Sequence, residues 1–165
     1  WYCQGATAHF AVGILDDASG DDTYTATLNM AQGAGHDYAV GVLLDRRGND
    51  RYDAPNLSLG SGNADGVGLF VDAGGDDAYR SLGLTLGGAS VATPADAPSL
   101  RHGSLTLGIF LDLGGTDTYL DREGKPQPFA GEGLLWTWSG RAGAVPFSNE
   151  RGAGLDAGGD PPRKP

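Results

Sequence analysis

Hydrophobic positions in this chain fall in short runs, and each run closes on an aspartate. Four segments carry the pattern: Gly13-Ile-Leu-Asp-Asp17-Ala-Ser-Gly-Asp-Asp22-Thr-Tyr24, Gly41-Val-Leu-Leu-Asp45-Arg-Arg-Gly-Asn-Asp50-Arg-Tyr52, Gly68-Leu-Phe-Val-Asp72-Ala-Gly-Gly-Asp-Asp77-Ala-Tyr79 and Gly108-Ile-Phe-Leu-Asp112-Leu-Gly-Gly-Thr-Asp117-Thr-Tyr119. Each reads as a Gly, three mostly apolar residues, then Asp-x-x-Gly-x-Asp-x-Tyr. Only Asp16 interrupts an apolar run. Apolar runs this short, bounded by Gly, Asp and Asn, predict strands and tight turns. No stretch shows a sustained 3.6-residue period, so little helix is expected.

The tyrosines set the period. Tyr24 to Tyr52 is 28 residues, Tyr52 to Tyr79 is 27 and Tyr79 to Tyr119 is 40, which places about 13 extra residues in the fourth unit. Ala92 to Gly103, with Pro94 and Pro98, is the expected insert. A degraded fifth copy, Gly154-Leu-Asp156-Ala-Gly-Gly-Asp160-Pro161, follows. A fixed period of this length is the mark of a repeat array, in which each unit buries its apolar face against its neighbours. The expected fold is all-β, a parallel β-helix (β-solenoid) forming a single repeat domain over 1–165. Its units lie near 1–28, 29–56, 57–84 and 85–121, and 122–165 forms a degenerate last unit and cap. A propeller is the competing architecture, although its blades usually need about 40 residues or more. The sequence opens in mid-unit, with Cys3-Gln-Gly-Ala6 matching Ala31-Gln-Gly-Ala34, which suggests the C-terminal part of a longer chain.

Three strand-like runs are expected per unit. In the second they are Ala39 to Leu44, Arg51 to Ala54 and Leu57 to Gly60, with a turn over Gly60 to Gly66. Stacking would place Ile14, Val42, Leu69 and Ile109 in an inner row, beside Leu15, Leu43, Phe70 and Phe110. Tyr24, Tyr52, Tyr79 and Tyr119 would form an aromatic ladder. Gln4 and Gln32 would stack their amides, and Cys3 would be a small buried residue. Trp136 and Trp138 alternate, so both rings would share one face of a strand. Covering the open end of the array is their main expected role, and sugar stacking is the alternative.

Composition narrows the function. The chain has 165 residues with 21 Asp plus Glu against 11 Lys plus Arg, a formal charge of −10. That excludes nucleic acid and anionic membrane surfaces as natural partners, since both need a basic face. No apolar stretch approaches the roughly 20 residues of a membrane helix. Glycine, at 29 residues, recurs in register with the apolar runs and therefore marks turns rather than disorder.

The aspartates carry the chemistry. In stacked units, Asp17, Asp45, Asp72 and Asp112 form one carboxylate row, and Asp22, Asp50, Asp77 and Asp117 form a second. Like charges one strand spacing apart repel by roughly 3 kcal/mol at an effective dielectric of 20. Ca²⁺, which takes six to eight oxygens, would offset this. So would backbone N–H groups in Asx turns, which need no metal. Arg46, Arg47, Arg51 and Arg80 are further candidates. Gly20-Asp-Asp22-Thr-Tyr24 and Gly75-Asp-Asp77-Ala-Tyr79 resemble the Gly-x-Asp-x-(apolar) core of calcium-binding RTX repeats. That resemblance implies a secreted β-roll with Ca²⁺ in its turns and makes the second-row aspartates ligands. The unit as a whole resembles repeats of uncharacterised bacterial proteins.

The expected function is a non-enzymatic structural scaffold, extracellular or on the cell surface, stabilised by metal-free Asx turns or by Ca²⁺, with a polysaccharide or protein partner or end-to-end self-association. The alternative is a carbohydrate-binding module or a polysaccharide-active enzyme, with Asp76, Asp77, Arg80 and Arg101 grouped beside the insert. His9, His36 and Asp37 are a weaker candidate metal site, and His102 has no evident partner. No nucleophile elbow, zinc-ligand cluster, phosphate loop or dinucleotide fingerprint is present.

Overall fold

The computed structural model describes residues 1–90, 104–139 and 149–159. The expected insert, with Arg101 and His102, lies outside the described residues, as do Asp160 and Pro161. The described residues contain strands and no helix, so no helix is long and apolar enough to cross a membrane.

Each 27- or 28-residue unit gives one strand to each of three sheets. The largest sheet takes the apolar runs: β2 (Val12–Asp17), β5 (Val40–Asp45), β8 (Val67–Asp72), β11 (Leu105–Asp112) and β14 (Asn149–Asp156). All are parallel and in register, so Asp17, Asp45, Asp72, Asp112 and Asp156 are neighbours. The tyrosine strands β3 (Thr23–Thr25), β6 (Arg51–Ala54), β9 (Ala78–Ser81) and β12 (Thr118–Asp121) make a second parallel sheet. The third sheet is formed by two-residue strands: β1 (Thr7–Ala8), β4 (Gly35–His36), β7 (Gly62–Asn63) and β10 (Ala89–Ser90). β10 keeps the 27-residue offset to β7 while β11 stands 40 residues from β8, so the extra residues lie between β10 and β11.

The third strand was expected at Leu57 to Gly60 but falls at Gly62–Asn63, inside the expected turn. Leu59 and Gly60 instead form a left-handed corner (φ 51° and 72°), repeated at Gln32-Gly33 and Leu86-Gly87. A Cβ on Gly60 would stand 2.0 Å from the Ile109 carbonyl oxygen, because the corner bonds directly to the next unit's long strand. Ile109 N–H donates to Gly60 O at 3.0 Å. The leucine side chain turns inward at a bend rather than along a strand, and Leu59 is fully buried.

The expected inner rows also need correction. Leu43, Phe70 and Phe110 are fully buried, with Leu15 packed against them, but Ile14, Val42, Leu69 and Ile109 point outward. Adjacent strand residues face opposite sides. Because Asp45, Asp72 and Asp112 face inward, every second position before them does too. The outer face of this sheet therefore stays aliphatic, and Ile14 is 66% exposed.

Inside, the tyrosine rings form the expected ladder, with centroids 4.9 to 5.0 Å apart and near-parallel planes. Phe70 and Phe110 stack alongside at 4.9 Å and meet the tyrosines edge to face. The glutamines form no amide stack. Gln32 Nε2 donates to the Tyr24 and Asp53 carbonyls, tying the corner to the tyrosine sheet. Cys3 is exposed rather than buried, because it lies on the outermost described unit, paired with Ala31 on one side only.

At the other end, β13 (Leu135–Ser139) runs antiparallel to β14. Trp136 covers Phe110 and Tyr119 and is 6% exposed, and both indole N–H groups donate to the Leu86 carbonyl. The two rings thus share one face. The buried ring of Trp136 is spent on packing and is not presented to a ligand.

Gly75 and Gly115 are the tightest stacking points among the described residues, and Gly75 shows why. An added Cβ would lie 1.4 Å from the Gly48 carbonyl oxygen, a backbone atom that cannot step aside alone. Gly75→Ala is expected to destabilise by more than about 2 kcal/mol, whereas Gly131→Ala, whose Cβ makes ordinary contact, should stay within about 0.5 kcal/mol. Denaturant unfolding of the two variants checks this.

Candidate functional site: a buried carboxylate column

The turn after each long strand carries the inward aspartates, and one oxygen of each accepts a backbone N–H. Asp45, Asp72 and Asp112 each accept the N–H two residues on, at Arg47, Gly74 and Gly114, closing Asx turns. Tyrosines bind the same carboxylates from the neighbouring unit. Tyr24 donates to Asp45 at 2.6 Å, Tyr52 to Asp72 at 2.8 Å and Tyr79 to Asp112 at 2.7 Å. Burial and the adjacent carboxylates push the Tyr52 and Tyr79 hydroxyls far above their usual ionisation range, so they remain donors.

The second row joins units amide to carboxylate. Asp22 N–H donates to Asp50 Oδ1 at 2.6 Å, Asp50 N–H to Asp77 Oδ1 at 2.6 Å and Asp77 N–H to Asp117 Oδ1 at 2.8 Å. Glu132 takes the next place, accepting Asp117 N–H at 2.8 Å. A parallel outer ladder runs the other way: Asn49, Asp76 and Thr116 donate their N–H groups to Asp21, Asn49 and Asp76 of the preceding unit.

The two expected rows converge into one column. Asp50, Asp72 and Asp77 form one cluster whose ligand atoms lie within 4.8 Å of one another; Asp77, Asp112 and Asp117 form the next, and Asp117, Glu132 and Asp156 the third. Of the eight expected ligands, Asp50, Asp72, Asp77, Asp112 and Asp117 are thereby brought together. Asp17, Asp22 and Asp45 belong to none of the three clusters. Asp17 and Asp22 lie on the outermost described unit and are only half-buried. Glu132 and Asp156 were not among the expected ligands. Asp156 was visible as the repeat position of the fifth copy. Glu132 had no repeat signal, since it comes from the preceding loop.

Arg46, Arg51 and Arg80 find their partners outside the column. Arg46 grips Asp16 on the outer face with two 2.8 Å bonds, holding that carboxyl below its ordinary range. Arg51 lies 3.5 Å from Asp53, and Arg80 donates to the Arg122 carbonyl. Asp77 is buried while Arg80 is exposed, so the expected Asp77–Arg80 grouping is not formed. Arg80 and Arg122 instead border a groove of about 350 Å³ with Thr25, Thr27, Asp53 and Ser81. His9 bonds Asp37 at 2.8 Å, but His36 bonds Asn63 at 2.6 Å, and among the described residues the acidic clusters include no histidine.

Burial dominates the electrostatics of the column. It raises the carboxyl groups of Asp50 to about 7, Asp77 to about 9, Asp112 to about 8 and Asp117 to about 6, with neighbouring aspartates adding to the effect. Comparison of the chain with protein-family models, curated proteins and solved structures returned no match.

A carboxyl raised on folding holds its proton more tightly in the native state. Stability is then fully present below the ordinary carboxylate range and is lost as pH rises through the raised values. In chelator, the midpoint of thermal unfolding should fall between about pH 4 and about pH 9 and level off above it. Asp77→Asn should flatten the upper part of that curve. A scan of unfolding midpoint against pH measures both.

Proposed function

We propose that this chain is a parallel β-helix, one 27- or 28-residue coil per repeat, acting as a structural scaffold outside the cell or on its surface. One observation carries the reading. The aspartates, the residues best suited to chemistry, are engaged coil after coil in binding the next coil's amides and tyrosines. A catalytic site concentrates unusual residues at one accessible place; here the same residues recur along the stack and are buried.

The arrangement suits a rigid rod-like module. Every strand pair repeats the same short contacts, and aromatic stacking continues through the interior. Stability in such arrays is close to a sum over neighbouring interfaces.

A second reading rests on the outer groove with Arg80 and Arg122. Two guanidinium groups beside hydroxyls suit an acidic sugar, bound without chemistry. Glycan-array binding lost in Arg122→Ala, with unchanged folding, would favour that reading.

The scaffold reading predicts equivalence between coils. Asp50→Ala leaves a half-buried amide and Asp77→Ala a buried one without its acceptor, so each should destabilise by about 1–3 kcal/mol. The Asn variants, which keep Oδ1, should lose much less. Chemical denaturation checks this, and a variant that abolished an enzymatic activity without lowering stability would overturn the reading.

A further inference from the structure

The three carboxylate clusters leave oxygens unused. Asp50, Asp77 and Asp117 each give Oδ1 to a neighbouring amide, yet their Oδ2 atoms, and that of Asp156, are buried with no hydrogen-bond partner. Asp50 and Asp77 are each 2% exposed, and Asp156 is 1% exposed. An unbonded carboxylate oxygen in a protein interior is strongly disfavoured. Each cluster holds at least two such oxygens, while the carboxyls around them are pinned by tyrosines and turn amides.

Resting on the β-helix reading, the geometry points to a file of three internal sites for a hard divalent cation of calcium's size, one in each cluster. The all-oxygen donor set and its burial select Ca²⁺. All donors are oxygens, and Ca²⁺ binds oxygen at about 2.3–2.6 Å, so opposed ligands on one ion lie about 4.6–5.2 Å apart. The clusters' ligand atoms all lie within 4.8 Å of one another, so one such ion can touch all three groups. Mg²⁺ needs closer ligands in octahedral order and gives up water reluctantly.

Charge and connectivity support the file. Three clusters of three carboxylates share Asp77 and Asp117, leaving seven groups; three divalent ions supply six positive charges against seven negative ones. Neighbouring ions would stand about one strand spacing apart, roughly 4.8 Å. A shared carboxylate between them screens their repulsion, as in enzymes whose paired metals sit about 3.5–4 Å apart. The sites differ in access. The two that lack Glu132 are built from aspartates in the interior, so they load as the chain folds. The third includes exposed Glu132 and exchanges with solvent.

The test uses the whole chain, unfolded in denaturant with EDTA, desalted, and refolded with or without millimolar Ca²⁺. Bound calcium is counted by mass spectrometry after gel filtration in metal-free buffer, and folding is followed by far-UV and tyrosine circular dichroism. About three Ca²⁺ per chain are expected. Asp77→Asn and Asp117→Asn should each fall to about one, because each removes a shared ligand from two sites while keeping the amide acceptor. Asp22→Asn should leave the count unchanged. Tb³⁺ offered in place of Ca²⁺ should luminesce on tyrosine excitation, since Tyr52 and Tyr79 bond ligand carboxylates directly. This readout on the unsubstituted chain covers the case of a variant that fails to fold. A folded chain that binds no Ca²⁺ and gives no Tb³⁺ signal overturns the cation file and assigns the clusters to shared protons, leaving the scaffold standing. Calcium bound equally by Asp77→Asn also overturns it. Loss of the β-sheet signal in every condition sinks the β-helix reading itself.

Discussion

A buried carboxylate oxygen accepting the amide proton of the matching aspartate in the adjacent unit is the contact on which the molecule depends. Asp22 to Asp50, Asp50 to Asp77 and Asp77 to Asp117 repeat it at 2.6 to 2.8 Å. Neighbouring turns also share backbone bonds at Gly20, Gly48 and Gly75, but the amides of Asp22, Asp50 and Asp77 take the carboxylate as their acceptor and would otherwise stay unpaired. The bond sets the separation and register of the turns. The outer ladder through Asp21, Asn49 and Asp76 runs in the opposite direction and fixes the same register from the solvent side.

From that register the packing follows. Tyrosine rings sit one strand spacing apart because their backbones do, and the hydroxyls of Tyr24, Tyr52 and Tyr79 reach the aspartate that ends the neighbouring long strand. Glycine is required where successive turns touch, since Gly75 leaves no room above the Gly48 carbonyl. The cost of the design is electrostatic: carboxylates gather in the column while Arg46, Arg51 and Arg80 bind partners outside it. Burial holds those carboxyls above their ordinary range, which links the stability of the stack to pH, and the cations we propose would complete the column. At the last described unit Glu132 replaces the missing second-row aspartate, and the antiparallel β13 brings Trp136 over the exposed ends of Phe110 and Tyr119.

Much of this was legible because repeats state their own alignment. The recurrence of Asp-x-x-Gly-x-Asp-x-Tyr placed the tyrosine ladder and both aspartate rows, and the 40-residue gap marked where a loop enters. Side-chain facing was less legible. Val42 and Leu43 are equally apolar, and only the parity with Asp45 decides that Leu43 faces in. Arginine partners were misread for the same reason, since Arg46 and Arg80 are close in sequence to the column but lie on the outer surface. Leu57 to Gly60 looks like a strand by composition; its left-handed corner arises because the chain must turn inward there to meet the next unit.

The amino-acid sequence by itself determined the period, the β class and the residue types at each turn, because local turn chemistry and periodic spacing need only neighbours along the chain. The tertiary structure alone decided that two separate aspartate rows become one column, that Glu132 joins it and that several carboxylate oxygens remain unbonded there. Those outcomes depend on how one unit is displaced and turned on the next. That geometry is set by contacts between residues 27 to 40 positions apart, which no local pattern records.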